Sequence, residues 1–376
     1  MKGSSILSKV DGKKIGDVEF LSFDGFSRVI DAHTESFIPG SILESLKNIL
    51  ITSEKELINL MSHEFGKPAW QCKDEIKRSV EFIMDYFETY SQENASPGSD
   101  TIFVLGSVAM PIFQFTKNLC ENVGLYKKYI FKPSTKTAVT MQFISLELMQ
   151  KIEPNFVAIV SISNETLDEI LLKYSFSKII KYFSGQLDIK ISNLVDLSEK
   201  DTVMVIGEDS DIEMSSGIIS QNIFSFEKFN QSRIQHIFVD EKISDEFCSK
   251  LSQKIELTLS SGDADVPGVN FTDTFKLYKR KGLNKFILEM VSMGADLISG
   301  SIQDKISSPI LIKSTLALSD YYERDFWAPI IFIIPYKKVT QLPTLLKPFV
   351  KNKRLMAMIK SIDLDFIKKR LPIDLI

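Results

Sequence analysis

Three cysteines, Cys72, Cys120 and Cys248, and three histidines, His33, His63 and His236, are all that the 376-residue chain offers for thiol or imidazole chemistry. A covalent route through sulfur needs a thiolate with a base in reach, and a zinc site needs ligands at short, fixed spacings. The cysteines stand far apart with no CxxC, which argues against both a disulfide framework and a metal site. Cys248 shares a helical face with Phe247, Leu251 and Ile255 and reads as a packed apolar residue. Cys120, beside Leu119 in another helical pattern, reads the same way. Cys72 follows Gly66, Lys67 and Pro68 in a mostly polar stretch and is expected at the surface without a role. His63 falls on the polar side of its helix and His236 in a strand, where a half-buried structural histidine is expected; neither is placed for a dyad.

The elements that must position any chemistry alternate. In DEIKRSVEFIMDYFETY the residues Ile76, Val80, Ile83, Phe87 and Tyr90 recur at helical spacing, and Ser53 with Glu56 has capping-box spacing ahead of LINLM, so the first third reads as helices. From TIFVLGSVAMP onward, strand and helix patterns follow each other: FQFTKNLCENVG, YKKYIFKPS, TAVTMQFISLELMQKI, NFVAIVSIS, ETLDEILLKYSF, KIIKYFSG and DTVMVIG. That alternation predicts an α/β fold with a doubly wound, Rossmann-like N-terminal domain. A second α/β domain begins near Ile234 with the strand IQHIFVDE, the helix ISDEFCSKLSQKIE, a helix around LNKFILEMVSMGA, and the apolar strands SPILIKST and APIIFIIPY.

A formal net charge of −4, from 45 basic and 49 acidic residues, calls for neither nucleic acid nor an anionic membrane as partner. The basic carboxy-terminal stretch KNKRLMAMIK is interleaved with aliphatic residues and lacks a stacking pattern of aromatics, so it reads as a solvated helix face. No apolar run approaches the roughly 20 residues that span a bilayer, and MKGSSILSKVDGKKIG has no signal-peptide core. A cytoplasmic protein in a reducing compartment is expected.

The order of several short words resembles the aldehyde dehydrogenase superfamily. EFGKPAWQCKDEIKRSVEFIMDYFETY is similar to the family's Gly-Lys-Pro word before a long helix, and YIFKPSTKT to its Lys-Pro-Ser strand end. IQHIFVDEKISDEF is similar to the strand and helix after the catalytic cysteine, and RDFWAPIIFIIPY to the Glu-x-Phe-Gly-Pro segment. The resemblance implies a helical region and dinucleotide-binding domain over 1–206, a catalytic-type domain over 207–340, and a return to the N-terminal domain over 341–376. Relative to the family's pattern the chain is divergent and shortened at its C-terminus, which puts the usual dimer and tetramer contacts in doubt.

The resemblance also assigns chemical roles, and all three positions are substituted. Gln231 stands where the nucleophilic cysteine belongs, between Asn230 and Ser232, and a carboxamide cannot form the acyl bond. In SVAMP, Ala109 replaces the asparagine that would hold an oxyanion. Leu197 replaces the general-base glutamate, and Glu199 two residues on reads either as a displaced carboxylate or, the favoured reading, as an exposed loop acid.

The dinucleotide site implied by the family is partly kept. Lys132 matches the lysine for the adenosine ribose, with Ser134 beside it, but Thr135 replaces the neighbouring glutamate and removes an acceptor worth about 1.5–3 kcal/mol. In YFSGQLD, Ser184 and Gly185 appear in swapped order at the helix that would meet the pyrophosphate. Asp325 and Trp327 stand in for the glutamate and phenylalanine near the nicotinamide.

Two functions follow as expectations. One is a catalytically inactive aldehyde dehydrogenase-like protein acting as a scaffold, partner subunit or ligand-binding module, with no cofactor or weakly held NAD(P). The other is an NAD(P)-dependent oxidoreductase of aldehydes or acyl thioesters whose nucleophile is relocated or supplied by a partner. A protein partner or homo-oligomer fits either, and a partner polypeptide could contribute the last strands.

Overall fold

The computed structural model describes residues 2–7, 13–32, 39–89, 100–151, 156–183, 187, 189, 191–197, 201–224, 233–272, 280–300, 308–314, 329–349, 353–371 and 374–375. The chain forms two compact units, one of Met1–Ser198 with Ala264–Pro267, the other of Glu199–Asp263 with Gly268–Ile376.

The first unit opens with an antiparallel hairpin, β1 (Lys2–Leu7) and β2 (Lys14–Phe20), where a helical start was expected. Val18 of β2 is fully buried with Leu60, Ala138 and Val139, which is what a short alternating strand does with its one apolar face. Helices α1 (Phe23–Asp31), α2 (Pro39–Thr52), α3 (Glu54–Phe65) and α4 (Ala69–Thr89) follow. The capping box at Ser53 does not form: α2 runs to Thr52, the Ser53 N–H bonds back to the Ile49 carbonyl, and at φ −105°, ψ 16° the residue lacks the extended backbone of a cap. In α4, Ile76 and Ile83 are buried as the stripe predicts, while Tyr90 lies outside the described residues. Cys72, Glu75 and Ser79 share the buried face.

Then come β3 (Thr101–Leu105), α5 (Pro111–Asn122), β4 (Lys128–Lys132), α6 (Ala138–Met149), β5 (Val157–Ile159), α7 (Asn164–Lys173), β6 (Lys178–Lys181) and β7 (Leu194–Asp196). The five strands form one parallel sheet in the order β5-β4-β3-β6-β7. Strand order reverses between β3 and β6, so a doubly wound topology puts its crevice at the carboxyl ends of those strands. Ile102–Leu105 and Tyr129–Phe131 are buried without alternation, as strands covered on both faces require.

The second unit is built on a seven-stranded sheet in the order β12-β13-β14-β9-β8-β15-β16, with β8 (Asp201–Ile206), β9 (Ile234–Asp240), β12 (Asp296–Ser299), β13 (Ile310–Lys313), β14 (Ile330–Tyr336), β15 (Lys353–Met358) and β16 (Asp374–Leu375). Only the β12–β13 pair is antiparallel. A short parallel pair, β10 (Ser261–Gly262) and β11 (Phe271–Thr272), stands apart. Two expectations change here. DTVMVIG, read as the last strand of the first domain, is β8, with Met204 opposite Ile237 on one side and Met356 on the other. Its four apolar residues, Val203 to Ile206, are fully buried because a central strand is covered on both faces, and the boundary accordingly falls at Ser198 rather than 206. Residues 341–376 do not return to the first unit; β15 pairs with β8.

Candidate functional site at the carboxyl edge of the first sheet

The turn from β3 into α5 is built on close contacts. The Gly106 N–H donates to the Lys132 carbonyl at 2.8 Å, and a Cβ at Gly106 would stand 2.6 Å from the Phe131 ring, so only glycine lets the two strand ends approach. Ser107 is clamped by Gln114, whose Oε1 accepts the Ser107 N–H and whose Nε2 donates to the Ser107 hydroxyl, both at 2.8 Å. Ala109 follows, fully buried. Its N–H donates to the Ser107 hydroxyl at 3.3 Å and its carbonyl accepts from Lys67 Nζ at 3.3 Å. With a methyl side chain and an N–H already bonded, position 109 presents no donor to a developing oxyanion.

Beneath this turn lies a buried ion pair. Lys67 Nζ is 2.5 Å from Glu75 Oε2, with the side chains 2% and 0% exposed. The other carboxylate oxygen, Oε1, accepts the N–H groups of Ile112 and Phe113 at 2.8 and 3.1 Å, so Glu75 also caps α5. Glu64 does the same for α6: it accepts the N–H groups of Val139 and Thr140 at 2.7 and 2.9 Å and the Thr140 hydroxyl at 2.6 Å. Neither glutamate had a signal in the sequence beyond an acid lying among apolar residues of a helix, and such an acid ordinarily faces water.

Lys132 ends β4 opposite Leu105 of β3. The residue is 7% exposed, and its Nζ donates to the carbonyl of Pro133 at 3.3 Å. Burial pushes the ammonium down to about 8. Ser134 builds the following turn: its hydroxyl accepts the Lys136 N–H at 3.3 Å, and its carbonyl accepts from the Thr137 N–H and hydroxyl at 3.0 and 3.2 Å. Thr135 is exposed.

At the end of β6, Lys181 pairs with Asp196 at 2.9 Å and lies 5.1 Å from the Phe183 ring centroid. Tyr182 bonds through its N–H to the Leu105 carbonyl and through its hydroxyl, as acceptor, to Asn118 Nδ2 at 2.7 Å. None of the described residues between β6 and β7 is helical, and Phe183, Leu187, Ile189 and Ile191 pack on the core of the sheet. Leu197, just past β7, is 42% exposed and donates its N–H to the Lys181 carbonyl.

The edge thus gathers Ala109, Lys132 and Ser134 on adjacent strand ends, with Leu197 two strands from β3. Gln231, Ser184, Gly185, Asp325, Trp327, Glu199 and His33 lie outside the described residues. Cys72, expected at the surface, is fully buried between the Ser62 hydroxyl and the Lys67 carbonyl; Lys73 beside it faces solvent, but Gln71 and Glu75 are buried on the same face of α4. Burial pushes the Cys72 and Cys120 thiols up to about 12 and that of Cys248 to about 11. His236 is fully buried, its ring stacked on Phe332 at 5.3 Å. Among the described residues no group of three His, Cys, Asp or Glu is placed to hold a metal ion, and no helix is long and apolar enough to cross a membrane.

Solved structures with the same fold include an oxidoreductase from Marinobacter aquaeolei (14% identity, TM-score 0.80, covering 100% of this chain and 86% of that one). An aldehyde dehydrogenase from Brucella melitensis is similar at 16% identity and TM-score 0.79, covering 100% of this chain and 85% of that one. An NADP-dependent glyceraldehyde-3-phosphate dehydrogenase from Bacillus halodurans, complexed with NADP, is similar at 16% identity and TM-score 0.81, covering 100% and 87%. At these identities the likeness is one of fold, and no curated protein sequence matches the chain significantly. The model described as the aldehyde dehydrogenase family matches residues 39–345, most of the chain, and by that match the chain belongs to the aldehyde dehydrogenase family.

Proposed function

We propose that this chain is an aldehyde dehydrogenase-like protein without covalent aldehyde chemistry, acting in the cytoplasm by binding, as a scaffold, partner subunit or ligand-binding module. The observation that carries this reading is the state of its sulfur: the chain has three cysteines, all three are buried, and burial holds every thiol protonated. Ala109, bonded at both its N–H and its carbonyl, supports it from the oxyanion side. The residues at the sheet edge fit a nicotinamide dinucleotide only in part. Lys132 fits a ribose hydroxyl, since its buried ammonium has N–H groups to donate to an added oxygen beyond the one bonded to the Pro133 carbonyl. Among the described residues the diphosphate has no matching seat: the starts of α5 and α6 are taken by Glu75 and Glu64, and the described part of the β6–β7 connection offers no helix start. NAD(P) held weakly or not at all is therefore part of the proposal.

The purified chain is assayed with NAD and NADP against a panel of aldehydes and acyl thioesters, following reduced nicotinamide. No turnover above buffer is expected; turnover that one substitution within residues 225–232 abolishes would overturn the reading. Thermal shift tests the cofactor in parallel, because a ligand at a hundred times its Kd stabilises by about 2.7 kcal/mol. A second reading, oxidation of aldehydes or acyl thioesters through a relocated or partner-supplied thiol, has Lys132 in its favour. Mass spectrometry after exposure to an acyl donor separates the two, since the relocated thiol requires an adduct on Cys72, Cys120 or Cys248.

A further inference from the structure

Four lysines among the described residues are buried: Lys67, Lys128, Lys132 and Lys181. Two are paired with carboxylates and a third is held by backbone carbonyls. Lys67 pairs with Glu75 and Lys181 with Asp196, at 2.5 and 2.9 Å. Lys128 donates to the carbonyls of Val29, Ile30 and Ala32, at 2.6, 2.9 and 2.7 Å, at the negative end of α1. Among the described residues Lys132 has only the long bond to the carbonyl of its own neighbour, and no carboxylate. Taking an ammonium out of water without a counter-charge destabilises it and raises the share of free amine, and a free lysine amine in a dry site is a nucleophile toward carbonyl carbon.

The placement suits that chemistry. Lys132 is the last residue of β4, and its Nζ curls toward the carboxyl edge of the sheet, where ligands of doubly wound folds enter. The chain reaches solvent within three residues, Pro133 buried, Ser134 half-buried and Thr135 exposed, and Lys132 itself keeps 7% of its surface open. A small uncharged ligand needs no diphosphate seat, and none is offered at the starts of α5 and α6.

We propose that Lys132 captures a small aldehyde as a reversible imine. The nitrogen lone pair forms a bond to the carbonyl carbon, giving a carbinolamine; both amine hydrogens then leave with the carbonyl oxygen as water, and a C=N bond remains. No oxidant or reductant is consumed. This capture does not rest on the loss of thiol chemistry and stands or falls by itself.

The test treats the full-length protein with propanal near neutral pH, traps imines as propyl-lysine with cyanoborohydride, and quantifies every lysine by peptide mapping. Lys132 is expected to label at least about tenfold faster than exposed lysines, because a far larger share of it is unprotonated near neutrality. Its rate should level off above about pH 8, while exposed lysines keep gaining toward about pH 10. Lys132→Arg should remove the fast site and leave the others unchanged; the wild-type map decides the matter even where that variant fails to fold. Labelling of Lys132 no faster than the exposed lysines, or with their pH profile, overturns the proposal.

Discussion

Replacing Lys132 with methionine should make this protein more stable at neutral pH. Methionine keeps the length and apolar stem of the lysine and removes the charge. Lowering the ammonium from 10.5 to about 8 means that burial charges the folded state about 3 kcal/mol for keeping this group protonated. The lost bond to the Pro133 carbonyl, 3.3 Å long, offsets about 0.5–1 kcal/mol of the gain. The net expectation is a stabilisation of about 2–3 kcal/mol at pH 7. The pH dependence identifies the cause. Between about pH 8 and 10.5 the unfolded chain still holds a proton that the folded chain has released, so this residue's penalty shrinks as pH rises through that window. The three thiols work in the opposite sense: their folded values lie above 9, so their contribution is present at low pH and is lost as pH rises beyond about 9. Subtracting variant from wild type cancels the thiols and leaves Lys132. Urea unfolding is followed by emission from Trp70 in α4, in a Trp327→Phe background, so that the signal reports the first unit. The variant's advantage should close to under about 1 kcal/mol by pH 10.5. A variant less stable than wild type at pH 7, or an advantage that does not change with pH, would show that the Lys132 charge is compensated and refute the reasoning.

Removing the carboxylate of the buried ion pair should have the opposite sign. Glu75→Ala strands the Lys67 ammonium and frees the N–H groups of Ile112 and Phe113, for a loss of about 3–5 kcal/mol in the same urea assay; a loss under about 1 kcal/mol, or no faster hydrogen exchange at those two amides, would contradict it. The thiols give a simpler count. Ellman's reagent near neutral pH should find almost no reactive sulfur in the native chain and all three cysteines after unfolding, and a rapidly titrating native thiol would revive the relocated-nucleophile reading.

Periodicity in the sequence predicts which faces are buried, and it served well wherever burial was apolar. The runs that became β9 and β14 and the stripe Phe247, Leu251 and Ile255 are core in the structure as their spacing predicts. Pairing is another matter: β8 is as apolar as β3, and nothing in its six residues says which sheet it completes, since that is decided by β9 and β15 on either side. Buried charge was the least legible feature. Glu75 satisfies its carboxylate with amides 37 and 38 residues away, and Glu64 with amides 75 and 76 away, so the compensation that makes burial possible is absent from the local pattern. Cys72 was misplaced for the same reason, because its buried polar neighbours, Lys67 and Glu75, read as surface residues and lent it their apparent exposure. Lys132 is the inverse case. Its motif marks the residue, but its state depends on a counter-charge that none of the described residues supplies, and a missing partner leaves no trace in the sequence around it.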